Sequence, residues 1–586
     1  MSERPSPEEP TRSPQPAPPH APSRGGSSTR RARALRRVFA AVPVLCLVGW
    51  FWLAMQPLFI GPADWDDTMY ADRAISGAFV WDVRNRYVHV WAVRMLDLLL
   101  PTTHRTAAAA WGTLCVCGLA GLGYWTARRI AGPACGLLAL VLTLCFPPML
   151  KYLSVPHVDF SMALFGLLAV LSAALAADTR HVRVALSAAC VSGVCGYLAL
   201  KSKETALIVP PLSLYLLFGQ LGQAGKLGKL PWRARARNYL AWGLGLGLGF
   251  CMLFTLDRSF AAPTQRATAR ASDLGIYFTP QAPEAATRPA AARRNSPREG
   301  ELIELLTGPS FAAFTLLGLA GFARGAHKNI WVRTLGLWSL SVLAFTVATS
   351  VFSRGIDAQD RYVIALGPGL GPLAAYWLFS LLREPLRQHV SWFFLALLSA
   401  TTGLAAWGLW AAHVGDANEA QARAAALATP LALLLSFLTA WTAPRFIAAG
   451  AAACLLAISI GIASDEASRY RAQKRHELEP WLALVERLDA ITEPAALPHI
   501  AVLNGHSYRA ARLRWRLHVL SKRPWLELGI RDVERVEQLE PHEWVFVGAT
   551  NDNALQGRHY ERALALESDP RPWSLYQPPA RAAPAP

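Results

Sequence analysis

Charge is scarce in this chain, and negative charge scarcest: only 17% of its 586 residues are charged, with 40 Asp and Glu against 58 Lys and Arg. Carboxylates are kept out of its hydrophobic segments almost entirely. With 53% hydrophobic residues and 21 Trp, this poverty of charge excludes both an ordinary soluble domain and a disordered chain. Cysteine contributes nothing outside the apolar runs. All nine (Cys46, Cys115, Cys117, Cys135, Cys145, Cys190, Cys195, Cys251 and Cys454) fall inside them, where thiols act as small hydrophobes, so neither a disulfide nor a cysteine metal site is expected. Nor is a removable leader expected, because the first apolar run is too long and lacks a small-residue cleavage site.

What is present is a series of apolar runs, each long enough to cross about 30 Å of hydrocarbon as a helix. They fall near 38 to 59, 107 to 127, 131 to 150, 159 to 177, 183 to 200, 205 to 221, 239 to 256, 307 to 323, 332 to 350, 362 to 381, 391 to 411, 427 to 442 and 445 to 463. The expected architecture is a polytopic α-helical membrane protein of about 13 spans. Lys and Arg in short loops resist translocation, which orients the chain. A basic tail, residues 1–37, ends in Arg30, Arg31, Arg33, Arg36 and Arg37 and is too poor in large apolar side chains to pack, so it reads as disordered and cytoplasmic. Every second connection then carries cations: Arg128 and Arg129; Arg180 and Arg183; Lys226 to Arg237; Arg324 to Arg333; Arg383 and Arg387; Arg445. The net charge of +18 is therefore an insertion signal with attraction to anionic lipid headgroups, and no nucleic-acid partner is expected.

Three segments lie outside the 38–463 membrane module or loop from its outer face. Residues 60–106 carry Asp64, Asp66, Asp67, Asp72 and Asp82 with Arg73, Arg84, Arg86 and Arg94, and the run YVHVWAVRMLDLLL has the spacing of an amphipathic helix on the bilayer surface. Residues 257–306 are rich in Ala, Arg and Pro and read as a flexible loop. Residues 464–586 turn polar, with strand-like runs HIAVLN and EWVFVG alternating with helical patterns, so a small external α/β domain is expected. Within it, Asn504, His506 and Tyr508 follow a strand, where an Asn-Gly turn with a surface His is the plainer alternative to a ligand site. The GLGLGLG run at 243–249 lies inside a span and reads as close helix packing; Pro210 with Pro211, and GPGLGP at 367–372, are expected to kink their spans.

Ionisable residues gather at the outward ends of spans: Lys151, His157 and Asp159; Lys201, Lys203 and Glu204; Arg354, Asp357, Asp360 and Arg361; and Asp66 with Asp67 on the same side. Charges beside hydrocarbon are costly unless paired or wet, so their convergence points to a shared hydrated cavity rather than to unrelated helix caps. A carboxylate can act as general base toward a hydroxyl, and Lys or Arg can hold a phosphate. Acids and cations together suit a reaction on a lipid-linked phosphate.

These residues resemble the GT-C glycosyltransferases that use polyprenyl-phosphate sugars, in particular the family 39-like group of protein O-mannosyltransferases and lipid A aminoarabinose transferases. The match rests on Asp66, Asp67, Tyr70 and Ala71 after the first span, Asp159 opening the fourth, Lys203 and Glu204 before the sixth, and Arg361 with Tyr362 opening the tenth. The second acid is Asp67 where the family usually has Glu, and the family's Lys-Pro-Pro-Leu stretch is absent, Arg86 and Tyr87 standing nearest to it. The resemblance implies a GT-C fold in a bacterial inner membrane and transfer of a sugar from a polyprenyl-phosphate donor to a hydroxyl of lipid A, another glycolipid or a protein. Asp66 is then the general base, with Asp67 a lesser candidate; Asp159 assists it or orients the acceptor; Lys203, Arg361, Arg86 and Arg84 take the phosphate; Tyr70, His157, Glu204 and Tyr362 complete the site. Asp66 and Asp159 can alternatively hold a divalent cation, and no other cofactor is implied. The rival reading, a transporter or flippase of a lipid-linked saccharide, calls for ionisable residues at mid-span and internal repeats, neither of which stands out.

Overall fold

The computed structural model describes residues 86–99, 104–152, 157–179, 181–218, 232–260, 311–327, 329–352, 360–383, 445–491, 499–503, 530–533, 535–548, 558–566 and 573–578, with isolated positions such as 71, 513, 517, 519 and 555. The helices are α1 (Tyr87–Leu99), α2 (His104–Ala131), α3 (Pro133–Leu144), α4 (Pro147–Lys151), α5 (Val158–Asp178), α6 (Val182–Leu200), α7 (Val209–Phe218), α8 (Trp232–Phe260), α9 (Ala312–Gly325), α10 (Ile330–Phe352), α11 (Gly367–Arg383) and α12 (Arg445–Ile491). Short 3-10 helices, Glu204–Ile208 and Asp360–Leu366, lead into α7 and α11. Seven of these helices are long and apolar enough to cross a membrane, and α3, α7 and α9 are shorter apolar helices. Ten of the expected spans thus have a helical counterpart; the first, eleventh and twelfth fall outside the described residues apart from isolated positions, as do the 261–306 part of the flexible loop, the basic tail, and Asn504, His506 and Tyr508.

Contacts between helix ends sort as the loop charges require. Arg129 lies 4.0 Å from Asp178 and over the Trp331 ring at 5.0 Å, joining three ends that carry basic connections. At the opposite ends Phe146 meets Phe311 at 5.2 Å, and Tyr152 meets Tyr470 at 5.4 Å. A core of interlocked apolar side chains, including the fully buried Trp338, Trp377, Phe146 and Phe314, runs through α2 to α12.

Two expectations about backbone need correcting. Pro210 and Pro211 do not kink a span: they sit in the first turn of α7, directly after the 3-10 helix, where a missing N–H costs nothing. α1 forms as the spacing predicts, but its first two turns are sunk among the other helices, with Tyr87 to Trp91 and Val93 buried, and only its far end exposes Met95, Leu98 and Leu99. The glycine run is half a packing motif. A Cβ on Gly245 would stand 2.0 Å from the Cys190 carbonyl oxygen, and one on the facing Gly193 would stand 2.0 Å from that of Trp242, so α6 and α8 touch backbone to backbone; Gly243 and Gly247 meet nothing within 4 Å.

α12 runs 47 residues without a break, about 70 Å at 1.5 Å per residue. Its first half belongs to the membrane core through Ala448, Ala452 and Leu455, and its second half supplies Leu478, Trp481, Leu484 and Val485 to the core of a five-stranded sheet. The strands are β1 (Ile500–Leu503), β2 (Ile530–Val533), β3 (Trp544–Gly548), β4 (Glu561–Leu566) and β5 (Trp573–Gln577), in order β2-β1-β3-β5-β4. β1 pairs in parallel with β2 and β3, while β5 is antiparallel to β3 and β4. Side chains alternate between faces as a strand's period of two demands: Ile500, Val502, Trp544 and Phe546 pack with α12, whereas Ala501, Leu503, Val545 and Val547 form a second core with Leu555 and Tyr576. Beside β3, the buried Glu543 accepts two hydrogen bonds from Arg531, at 2.6 and 2.8 Å, and one from the Glu540 backbone N–H at 2.8 Å. Burial works to raise its titration point, but these donors and the Arg531 charge overcome that and hold it below the usual range.

Two outcomes follow for stability. Gly245→Leu should cost about 1–3 kcal/mol or block folding, whereas Gly243→Leu and Gly247→Leu should leave thermal stability in detergent close to wild type; equal losses at all three would contradict the α6–α8 contact. The stabilisation from Glu543 is complete above the ordinary Glu range near 4.3 and fades as the pH falls through its lower folded-state value. Protection of the β3 amides of the full chain, taken relative to intrinsic exchange at each pH, should therefore fall in acid, and Glu543→Gln should show weaker protection at neutral pH with less of that acid dependence.

Candidate functional site

Two neighbouring helices bring the central pair together. α5 opens after His157, whose extended backbone makes the N-cap, so Asp159 falls in the first turn, where the helix dipole favours an anion. α6 closes at Lys201; Ser202 Oγ donates back to the Leu198 carbonyl at 2.8 Å, and the chain then straightens at Lys203, the N-cap of the 3-10 helix. That turn directs Lys203 inward. Its ammonium donates to Asp159 Oδ1 at 2.5 Å, across 44 residues of sequence, with Asp159 only 2% and Lys203 5% exposed.

α1 is stitched to the same place from above. The Val88 N–H donates to the Lys201 carbonyl at 3.3 Å, and Arg86, half-buried, immediately precedes the helix. His89 Nδ1 lies 3.1 Å from Ser161 Oγ, which also accepts from the Trp111 indole N–H at 2.8 Å. Burial first, then the charges of His157 and Arg86, pull His89 down to about 3 against the opposing pull of Asp159, so its imidazole is neutral at physiological pH. His157 is buried and stacks edge-on against Tyr152 at 4.8 Å, while Lys151 lies over the rings of Tyr152 and Tyr470 at 5.4 and 5.2 Å.

The structure thus gathers Asp159, Lys203, His157 and Arg86 from the expected set. Arg361 and Tyr362 ride the 3-10 helix Asp360–Leu366, which packs on α5 and α10 and is pinned by Trp338 Nε1 donating to the Ala365 carbonyl at 2.7 Å; the positions of their side chains, and of that of Glu204, lie outside the described residues. Asp66, Asp67, Tyr70 and Arg84 lie outside them altogether, but Ala71, the last residue of the acidic motif, is buried in one apolar cluster with Tyr87, Val158 and Leu198. Sequence reasoning missed His89, Ser161 and Trp111. The sole trace of His89 was an imidazole within the otherwise uncharged run YVHVWAV; a Ser or Trp in an apolar helix gives no such signal.

A divalent cation fits the described part of the site poorly. Asp159 already faces a lysine ammonium, which repels a second cation, and among the described residues no three His, Cys, Asp or Glu side chains group as ligands. No step is derived through a metal.

No family model and no curated protein sequence matches the chain. Solved structures do. A crystal structure of ArnT from Cupriavidus metallidurans bound to undecaprenyl phosphate superposes with a TM-score of 0.54 at 14% identity, covering 93% of this chain and 98% of that one. The apo state of the same protein gives 0.55 at 16% identity over the same shares. An Archaeoglobus fulgidus oligosaccharyltransferase tethered to an acceptor peptide reaches only 0.38 at 11% identity, covering 83% of this chain and 64% of that one. With its apolar helical bundle and this near full-length superposition on ArnT, the chain has the GT-C fold of membrane glycosyltransferases.

Proposed function

We propose that the chain is a multi-pass inner-membrane glycosyltransferase that moves a sugar from a polyprenyl-phosphate carrier to a hydroxyl of lipid A, another glycolipid or a protein. The observation that carries this reading is the buried Asp159–Lys203 pair, set with His157, His89 and Arg86 where apolar helices end, in a fold whose ArnT representative holds undecaprenyl phosphate. The loop charges put the N-terminus in the cytoplasm, and the site with residues 464–586 on the outer face.

A carboxylate touching an ammonium and shut off from water is a weak base, because protonating it strands a buried cation. Asp159 is therefore assigned the task of holding Lys203, and the general base falls to Asp66, with Asp67 beside it. Lys203, held by Asp159, is assigned to the phosphate as a cation, alongside Arg361, Arg86 and Arg84. As Asp66 takes the acceptor's proton, the acceptor oxygen bonds to the anomeric carbon and the bond from that carbon to the phosphate oxygen breaks. Polyprenyl phosphate leaves as a stabilised anion without a strong general acid, and a single displacement inverts the anomeric centre. Tyr70, His157, Glu204 and Tyr362 are proposed to complete the site.

In proteoliposomes given a labelled polyprenyl-phosphate sugar, Asp66→Asn should lower transfer about 100-fold or more while donor binding persists; undiminished transfer in a normally inserted variant removes Asp66 as base. Asp159→Asn and Lys203→Met should each cost about 3–5 kcal/mol of stability by orphaning a buried charge, and the double variant should recover most of it. Donor affinity and transfer should stay low in the double variant; their recovery along with stability would reduce the pair to scaffolding.

A further inference from the structure

The hydrogen bonds around Ser161 join three helices that also share a buried apolar cluster. Trp111 lies on α2, Ser161 on α5 two residues beyond Asp159, and His89 in the first turn of α1. An indole N–H can only donate, so Ser161 Oγ accepts from Trp111, and it shares one further hydrogen with His89 Nδ1, on the side that the imidazole tautomer sets. His89 is 1% exposed, and three residues before it on the chain stands Arg86. The backbone bond from Val88 to the Lys201 carbonyl brings the start of α1 to the loop that carries Lys203. The Trp111–Ser161–His89 relay is a buried polar tie between α1 and the helix that carries Asp159.

We infer that His89 is a positioning residue for the transfer site: through Ser161 and Trp111 it clamps α1 onto α5 and so fixes the start of α1, with Arg86 just ahead of it, against the helix that carries Asp159. The inference rests on the transfer reading for what is positioned, but not for the clamp itself. An apolar side chain at 89 leaves the Ser161 hydroxyl without this partner and lets the start of α1 drift. A side-chain amide at 89, by contrast, offers a hydrogen-bonding atom near the place of Nδ1.

The test uses the full-length protein in lipid nanodiscs, with polyprenyl phosphate as the binding probe and the labelled-sugar assay for transfer. His89→Leu should speed amide exchange across residues 87–99 and weaken probe affinity about tenfold, raising the donor KM more than it lowers kcat, and His89→Asn should restore both. Ser161→Ala should reproduce the His89→Leu behaviour, and combining the two should add little, which keeps the test alive if the Leu variant folds poorly. Unchanged exchange in both single variants overturns the clamp. Faster exchange with wild-type affinity and KM overturns the positioning role, as does His89→Asn behaving like His89→Leu. If the wild type itself neither binds the probe nor transfers sugar, the transfer reading fails and takes the positioning role with it, while the exchange data still decide whether the relay holds α1.

Discussion

A lysine and an aspartate buried together at the mouth of a hydrocarbon-embedded bundle set terms that the surrounding structure must meet. Either charge alone would be several kcal/mol too costly there, so each requires the other, and their contact requires α5 and α6 to begin and end at one level. That requirement explains local features that would otherwise look incidental. The return bond from Ser202 stops α6 in time for Lys203 to turn inward, and the extended N-cap at His157 starts α5 just early enough to put Asp159 in its first turn. The backbone bond from Val88 brings α1 to the Lys201 carbonyl beside the pair, and the Trp338 tie holds the 3-10 helix of Arg361 to α10, next to α5.

Most of the membrane architecture was legible in the sequence, because hydrocarbon imposes a length and a polarity on each crossing and the basic loops alternate. Arg129 meeting both Asp178 and Trp331 is what that alternation requires. The ion pair was half legible: Asp159 and Lys203 were both conspicuous as charges beside apolar runs, but nothing in a linear pattern says that residues 44 apart touch. The relay through Ser161 was illegible, since Ser and Trp are unremarkable in apolar helices and their meaning comes only from which neighbours they face. α1 shows the converse failure. Its amphipathic spacing foretold the helix, but not that tertiary packing buries every residue from Tyr87 to Trp91.

Glycine and proline spoke differently from what their motif shapes suggest. In GLGLGLG only the glycines on one helical face meet a partner, since residues four apart share a face and those two apart do not, so Gly245 and Gly249 contact α6 while Gly243 and Gly247 look outward. Pro210 and Pro211 mark a beginning rather than a bend, because the 3-10 turn ahead of them had already ended the preceding segment.

The sequence turns from apolar to polar near residue 464, and α12 runs straight through that change. Local ion pairs such as Asp465 with Arg469 at 2.7 Å, and Lys474 with Glu477 at 3.0 Å, carry the helix onward into the sheet core. The apolar layer against which Ile500, Trp544 and Phe546 close is therefore furnished by a segment whose other end is anchored among the spans. Order of assembly follows from this: the last polar stretch of the chain folds onto a template that insertion has already erected, so cutting at the composition boundary would sever a helix in mid-turn and leave the sheet one wall short.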